Sequence, residues 1–273
     1  MKEFKDSARI EIMYYKKKNA EKKPFKMSHK ILDCDCYGGS GAMREARQTH
    51  PLQEKNELTF ASYLPYNKYP HFSTIQNFEC FYGRYTESAD TPLIYEVVDF
   101  NGYMGRGVPL YIDFDAYSTS EDACFKEDIM YCMMEYLKSK YKYIFNLEEN
   151  TTLSDFMDEW AVCKATREKQ RDNTLFYKQS YHAIFRGQPI YFETQKDILH
   201  LIENFYDWVA SCDDPAIVKR KHSLYTNHPT TYKQNKSIDL TVYHRTTGST
   251  SQFRCAGSMK SGEGAESRLI PIW

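Results

Sequence analysis

Two aspartates set into an apolar run, Asp113 and Asp115 in PLYIDFDAY (109–117), constrain this chain most. Successive side chains of a strand point to opposite faces, so Leu110, Ile112 and Phe114 share one face while both carboxylates share the other. Flanks this apolar predict a mostly buried strand, and buried carboxylates must be paired or bind a metal. Carboxylates about 4 Å apart repel by roughly 1 kcal/mol in water and about 4 kcal/mol at a near-surface effective dielectric. A sheet that carries them needs a cation between them, which makes a divalent-metal site the leading reading. A pair of exposed acids at a strand end is the plain alternative.

Two further strand-like segments hold reactive side chains. In YKQSYHAIF (177–185), Lys178, Ser180 and His182 fall on one face. An ammonium, a hydroxyl and an imidazole in a row suit the terminal phosphates of a nucleotide; the solvent face of an edge strand would look the same. As a nucleophile pair Ser180 and His182 fail, because positions i and i+2 lie about 7 Å apart along a strand and no nucleophile-elbow glycines flank the serine. In SIDLTVYH (237–244), Asp239 lies opposite Ile238 and Leu240. Three carboxylates and a basic row are therefore expected to converge. Downstream, FRCAGSMK sets Arg254 and Lys260 across a Gly/Ser turn. The two cations could clamp a phosphate, or the segment is an ordinary solvated hairpin.

At 273 residues and 41% hydrophobic, the chain can bury a core as one large domain or two joined lobes. A formal net charge of -1 argues against a uniformly basic polyanion binder, so any nucleic-acid groove must be local. No stretch nears the roughly 18 to 20 apolar residues of a membrane span, and the first residues lack a signal's apolar core. A soluble, intracellular protein of cytoplasm or nucleus is expected, with no membrane partner. Of the eight cysteines only Cys34 and Cys36 lie close together, which predicts reduced thiols, with zinc at Cys34, Cys36 and His50 as a minor alternative. The sequons at Asn150 and Asn235 carry no meaning without secretion.

Residues 1–50 are Lys-rich and lead into a Gly/Ser break at 38–41, which reads as a basic, partly irregular arm, either solvated or laid on a phosphate backbone. Residues 51–273 read as one catalytic domain. Strand language begins at PLIYEVVDF (92–100). Helices are expected over 120–145, 151–171 and 194–210, a further strand at RLIPIW, and the order strand, helix, strand, helix, strand predicts an α+β sheet with helices on one face.

In this order the three segments resemble the archaeo-eukaryotic primase superfamily, most of all the PrimPol-like enzymes and the primase domain of the primase-helicases of large DNA viruses such as poxviruses. The family's acid, spacer, acid motif is matched by Asp113 and Asp115. Its Ser-x-His motif with a preceding Lys is matched by Lys178, Ser180 and His182. Its third, an Asp opening D-x-x-V-Y and followed by F-R and S-x-K, is matched by Asp239 to Tyr243, Phe253-Arg254 and Ser258 to Lys260. The likeness spans about residues 84–260, and residues 1 to about 70 match nothing in it.

The resemblance implies a sheet of RNA-recognition-motif type joined to an N-terminal α/β lobe. It implies two divalent ions, magnesium or manganese, about 3.5 to 4 Å apart on Asp113, Asp115 and Asp239. Lys178, Ser180, His182, Arg254 and Lys260 would bind the nucleotide, with Arg84 a further contact or a surface residue. The implied activity is template-dependent primer synthesis or extension on single-stranded DNA from nucleoside triphosphates. Relatives continue into helicase or zinc-binding regions, so the chain reads as an excised catalytic domain or a minimal stand-alone one, with a helicase module in cis or in trans. Two alternatives remain open: a gap-filling or damage-tolerant polymerase that cannot initiate, and an idle single-strand-binding subunit with this fold.

Overall fold

The computed structural model describes residues 11–13, 26–31, 34–36, 58–63, 71–75, 93–99, 107–120, 125–171, 173–227, 234–243, 246, 250–260 and 265–272. Arg84 and His50 lie outside them. The chain divides into two units, residues 1–97 with 252–265, and residues 98–251 with 266–273.

The first unit holds two antiparallel arrays. Strands β1 (Glu11–Met13), β2 (Lys26–Ile31) and β3 (Cys34–Cys36) pair in chain order, so the expected arm of residues 1–50 contains three strands. Strands β4 (Leu58–Tyr63), β5 (His71–Ile75), β6 (Leu93–Asp99) and β14 (Thr250–Arg254) form a sheet of order β14-β6-β4-β5. At β14 and just past it, Phe253, Arg254 and Ser258 are buried, and the Tyr95 hydroxyl donates to the Met259 carbonyl at 3.5 Å.

In the second unit, strand β7 (Val108–Pro109) leads into β8 (Tyr111–Ser118); β9 (Trp160–Arg171) and β10 (Thr174–Phe185) form a long hairpin, and β15 (Ile270–Ile272) edges β9. Four of these strands make an antiparallel sheet of order β15-β9-β10-β8. Arg171 pairs with Thr174, leaving two residues to turn the chain, and Asn173 there takes the left-handed conformation (φ 63) that Asn tolerates better than most residues. Period-2 alternation sorts the sheet into two faces. Ile112, Phe114 and Ala116 of β8 and Gln179, Tyr181 and Ala183 of β10 are all buried on one face, where the Phe114 and Tyr181 rings stack at 4.7 Å. Burying each of Ile112 and Phe114 contributes about 1.5 to 3 kcal/mol.

Helices α1 (Phe125–Tyr141), α2 (Leu153–Asp158), α3 (Gln195–Ser211) and α4 (Pro215–Arg220) complete the unit. Capping boxes start α2 (Thr152 with Asp155) and α3 (Thr194 with Asp197), and Asp214 caps α4 ahead of Pro215. Buried Ile198, Leu199, Ile202, Phe205, Tyr206 and Val209 give α3 an apolar stripe of helical period. Tyr136 of α1 meets Phe205 and Trp208 of α3 at ring distances of 5.6 Å. Two short pairs lie outside the main sheet, β11 (Tyr191–Phe192) with β7, and β12 (Tyr225–Asn227) with β13 (Gln234–Lys236). Beside the β11–β7 pair Gly107 has φ +82, and a Cβ there would lie 2.8 Å from the Phe192 carbonyl oxygen, so only glycine fits.

The fold is mixed α+β with antiparallel sheets, and several local expectations need correction. The helix expected over 151–171 stops at Asp158, and Trp160–Arg171 is strand β9, paired with β10 along its whole length. Helix-favouring residues such as Ala, Lys, Arg, Glu and Gln were overruled by that pairing, since tertiary context outweighs propensity. The strand expected over 237–244 is a single bridge at Ile238 followed by a 3₁₀ turn at Leu240–Val242. The helix expected over 120–145 ends at Tyr141.

Candidate active site

Strand register builds the site. Directly paired residues of an antiparallel ladder project to the same face. On β10, Ser180 pairs with Asp115 and His182 with Asp113. The two sequence motifs therefore lie side by side, residue against residue.

The contacts obey that register. Ser180 Oγ donates to Asp115 Oδ1 at 2.5 Å, and Lys178 Nζ lies 2.6 Å from Asp115 Oδ2. His182 Nε2 lies 3.6 Å from Asp113 Oδ1, an ion pair only when the imidazole is protonated. The side chains of Asp113 and Asp115 are 19% and 31% exposed, against 13% for Lys178 and 10% for His182, so the acids form the open side of the cluster.

The third acid arrives from a remote segment. Ile238 bridges Phe114, with Asp239 N–H donating to the Asp113 carbonyl and Asp115 N–H to the Ser237 carbonyl, both at 2.8 Å. This sets Asp239 across from Asp113. Its Oδ1 accepts from Thr241 N at 2.8 Å and Thr241 Oγ1 at 2.7 Å, capping the 3₁₀ turn. Two tyrosines staple the far end of that turn: the Tyr243 hydroxyl donates to the Tyr111 carbonyl at 2.6 Å and the Tyr111 hydroxyl to the Val242 carbonyl at 3.1 Å. Burial pushes the Tyr243 phenol well above its usual range, with Tyr111, Asp113 and Asp239 adding to the rise. Beneath the bridge, the Tyr206 hydroxyl accepts from Ile238 N–H at 3.1 Å, tying α3 to the segment that carries Asp239.

Three carboxylates on one side of the sheet are the hard-oxygen donors that Mg²⁺ or Mn²⁺ takes. Asp113, Asp115 and Asp239 are the residues that could hold such an ion. Their side chains are at present engaged with His182, with Lys178 and Ser180, and with Thr241. Among the described residues no group of three or more His, Cys, Asp or Glu side chains is drawn close enough to hold a metal. The donor type suits a divalent ion, which would bind only by drawing these carboxylates away from their present partners.

Of the remaining expected residues, Arg254 and Ser258 are buried in the first unit, where Lys260 is also described. Arg84 lies outside the described residues. The sequence reading missed Tyr117, Arg167 and Cys163, which the register adds to the face of the acids: Tyr117 and Arg167 flank Lys178, and Cys163 flanks His182. Burial and then Asp115 raise the pKa of Tyr117 above its ordinary value, while Arg167 acts to lower it. Tyr117 was legible, being two positions beyond Asp115. Arg167 and Cys163 were hidden by reading β9 as a helix.

No protein-family model matches this chain, and no curated protein sequence does. Among the described residues no helix is long and apolar enough to cross a membrane.

Proposed function

We propose that this chain is a nucleotidyltransferase of primase-polymerase type, making or extending short RNA or DNA primers on single-stranded DNA. One observation carries the reading. The motifs behind the likeness to the archaeo-eukaryotic primases lie in direct register, Ser180 against Asp115 and His182 against Asp113, with Asp239 bridged in beside them.

Phosphoryl transfer of this kind depends on positioning and charge stabilisation more than on covalent participation by the protein. Divalent ions held by Asp113, Asp115 and Asp239 would neutralise charge at the triphosphate and lower the pKa of the attacking hydroxyl. Lys178, Ser180 and His182 sit where they can exchange their carboxylate contacts for phosphate oxygens. Arg254, Lys260 and Arg84 belong to the proposed nucleotide set by the resemblance alone. The partners implied are single-stranded DNA, nucleoside triphosphates and a helicase or similar replication module.

Primer synthesis on an unprimed oligonucleotide with labelled nucleotides and Mg²⁺ or Mn²⁺ tests the proposal. Metal-dependent product that disappears in Asp113→Asn is expected; no product, or product unchanged by the substitution, defeats it. A primed template in parallel separates initiation from extension alone. The internal pairing of all three carboxylates also favours a second reading, an idle single-strand-binding copy of the fold. Calorimetry showing DNA binding with neither metal nor nucleotide binding would select it.

A further inference from the structure

Strand β9 sets Arg167 directly across from Lys178, on the face that carries Ser180, Asp115 and Asp113. The arginine is 5% exposed and the Lys178 side chain 13%. Like charges directly opposed in an antiparallel pair repel, and burial strengthens the repulsion by removing water. Asp115 offsets the ammonium, which leans 2.6 Å from its Oδ2 on β8, the strand on the far side from Arg167. Two cations on neighbouring strands form a place for an anion that carries more than one charge. A guanidinium grips paired oxygens in bidentate fashion, whereas an ammonium acts as a point charge on a flexible stem.

We propose that Arg167 and Lys178 together form a two-cation seat for a polyphosphate, the Lys178 ammonium turning from Asp115 onto the group that Arg167 grips. The inference rests on the nucleotide-transfer reading of this face and adds to it a binding residue on a strand that carries none of its motifs.

The test is isothermal titration of the full chain, with magnesium and without template so that no turnover occurs. The probes are inorganic tripolyphosphate, a nucleoside triphosphate and the matching nucleoside monophosphate, applied to wild type, Arg167→Met and Arg167→Lys. Arg167→Met keeps the apolar stem; it should bind tripolyphosphate and the triphosphate about tenfold or more weakly, as expected for losing a charge-assisted pair. Monophosphate binding should change far less, and Arg167→Lys should recover part of the loss. Such a split between polyphosphate and monophosphate is not produced by a merely structural role. A folded Arg167→Met that binds tripolyphosphate as wild type does overturns the inference and leaves the nucleotide-transfer reading intact. Wild type that binds neither polyphosphate defeats both. Should Arg167→Met not fold, Arg167→Lys decides: weaker polyphosphate binding at unchanged monophosphate binding supports the seat, and equal binding of both removes it.

Discussion

Replacing Tyr206 by phenylalanine tests whether one hydroxyl holds the third acid's segment in place. Tyr206 is 2% exposed, so the ring stays packed and only the oxygen is lost. That oxygen accepts from Ile238 N–H at 3.1 Å and donates to the Leu224 carbonyl at 3.3 Å. Leu224 also accepts from Ser237 N–H at 2.9 Å, so its carbonyl keeps a partner. The expected cost is therefore mainly that of stranding the Ile238 amide, about 1 to 3 kcal/mol for a buried donor. Urea unfolding at pH 7 should show a lower midpoint with an unchanged slope, and amide exchange at Ile238 and Asp239 should quicken. The pH dependence gives an independent check. Burial raises the Tyr206 phenol pKa, so its stabilising contribution is complete below the unfolded value near 10 and fades as pH climbs from there toward the folded value. The gap between wild type and Tyr206→Phe should accordingly narrow above about pH 10. A loss under about 0.3 kcal/mol with unchanged exchange would refute the tether, because a stranded buried donor costs several times that amount.

Other outcomes come from the packing. Phe114→Ala, at a fully buried position stacked on Tyr181, should cost about 3 to 5 kcal/mol in denaturant unfolding. Thr194→Ala removes the α3 capping box and should cost about 1 kcal/mol by the same measurement. Cys132, fully buried and with its thiol pushed up to about 12 chiefly by burial, should resist alkylation at pH 8 in the native state; mass spectrometry should find the partly exposed Cys212 modified before it.

The shared faces of side chains were legible where local periodicity set them. Asp113 and Asp115 share a face because they are two apart, as do Lys178, Ser180 and His182, and the apolar residues between them fill the opposite face. Helix α3 announced itself through Thr194, Asp197 and an apolar stripe, and its observed bounds differ by one residue from those expected. Information carried by distant pairing was not legible. Residues 160–171 have helix-forming composition, and only their match to β10 makes them a strand. Asp239 lies across from Asp113, yet its segment is not a strand: Asp239 caps a turn, and one bridge supplies the pairing. Arg167 went out of view with β9, since the facing of a side chain cannot be read when the period is misassigned.

The attachment of residues 237–243 has a consequence for control. Ser180 and Asp115 are joined across 65 positions of sequence by a continuous ladder, whereas Tyr243 and Tyr111, 132 apart, are joined outside any ladder. Releasing that arm would break a few main-chain links and the tyrosine tethers, leaving every strand of the main sheet paired. Asp239 can then leave and return while the scaffold stays folded, so under the proposed nucleotide-transfer reading thermal loss of activity should precede melting.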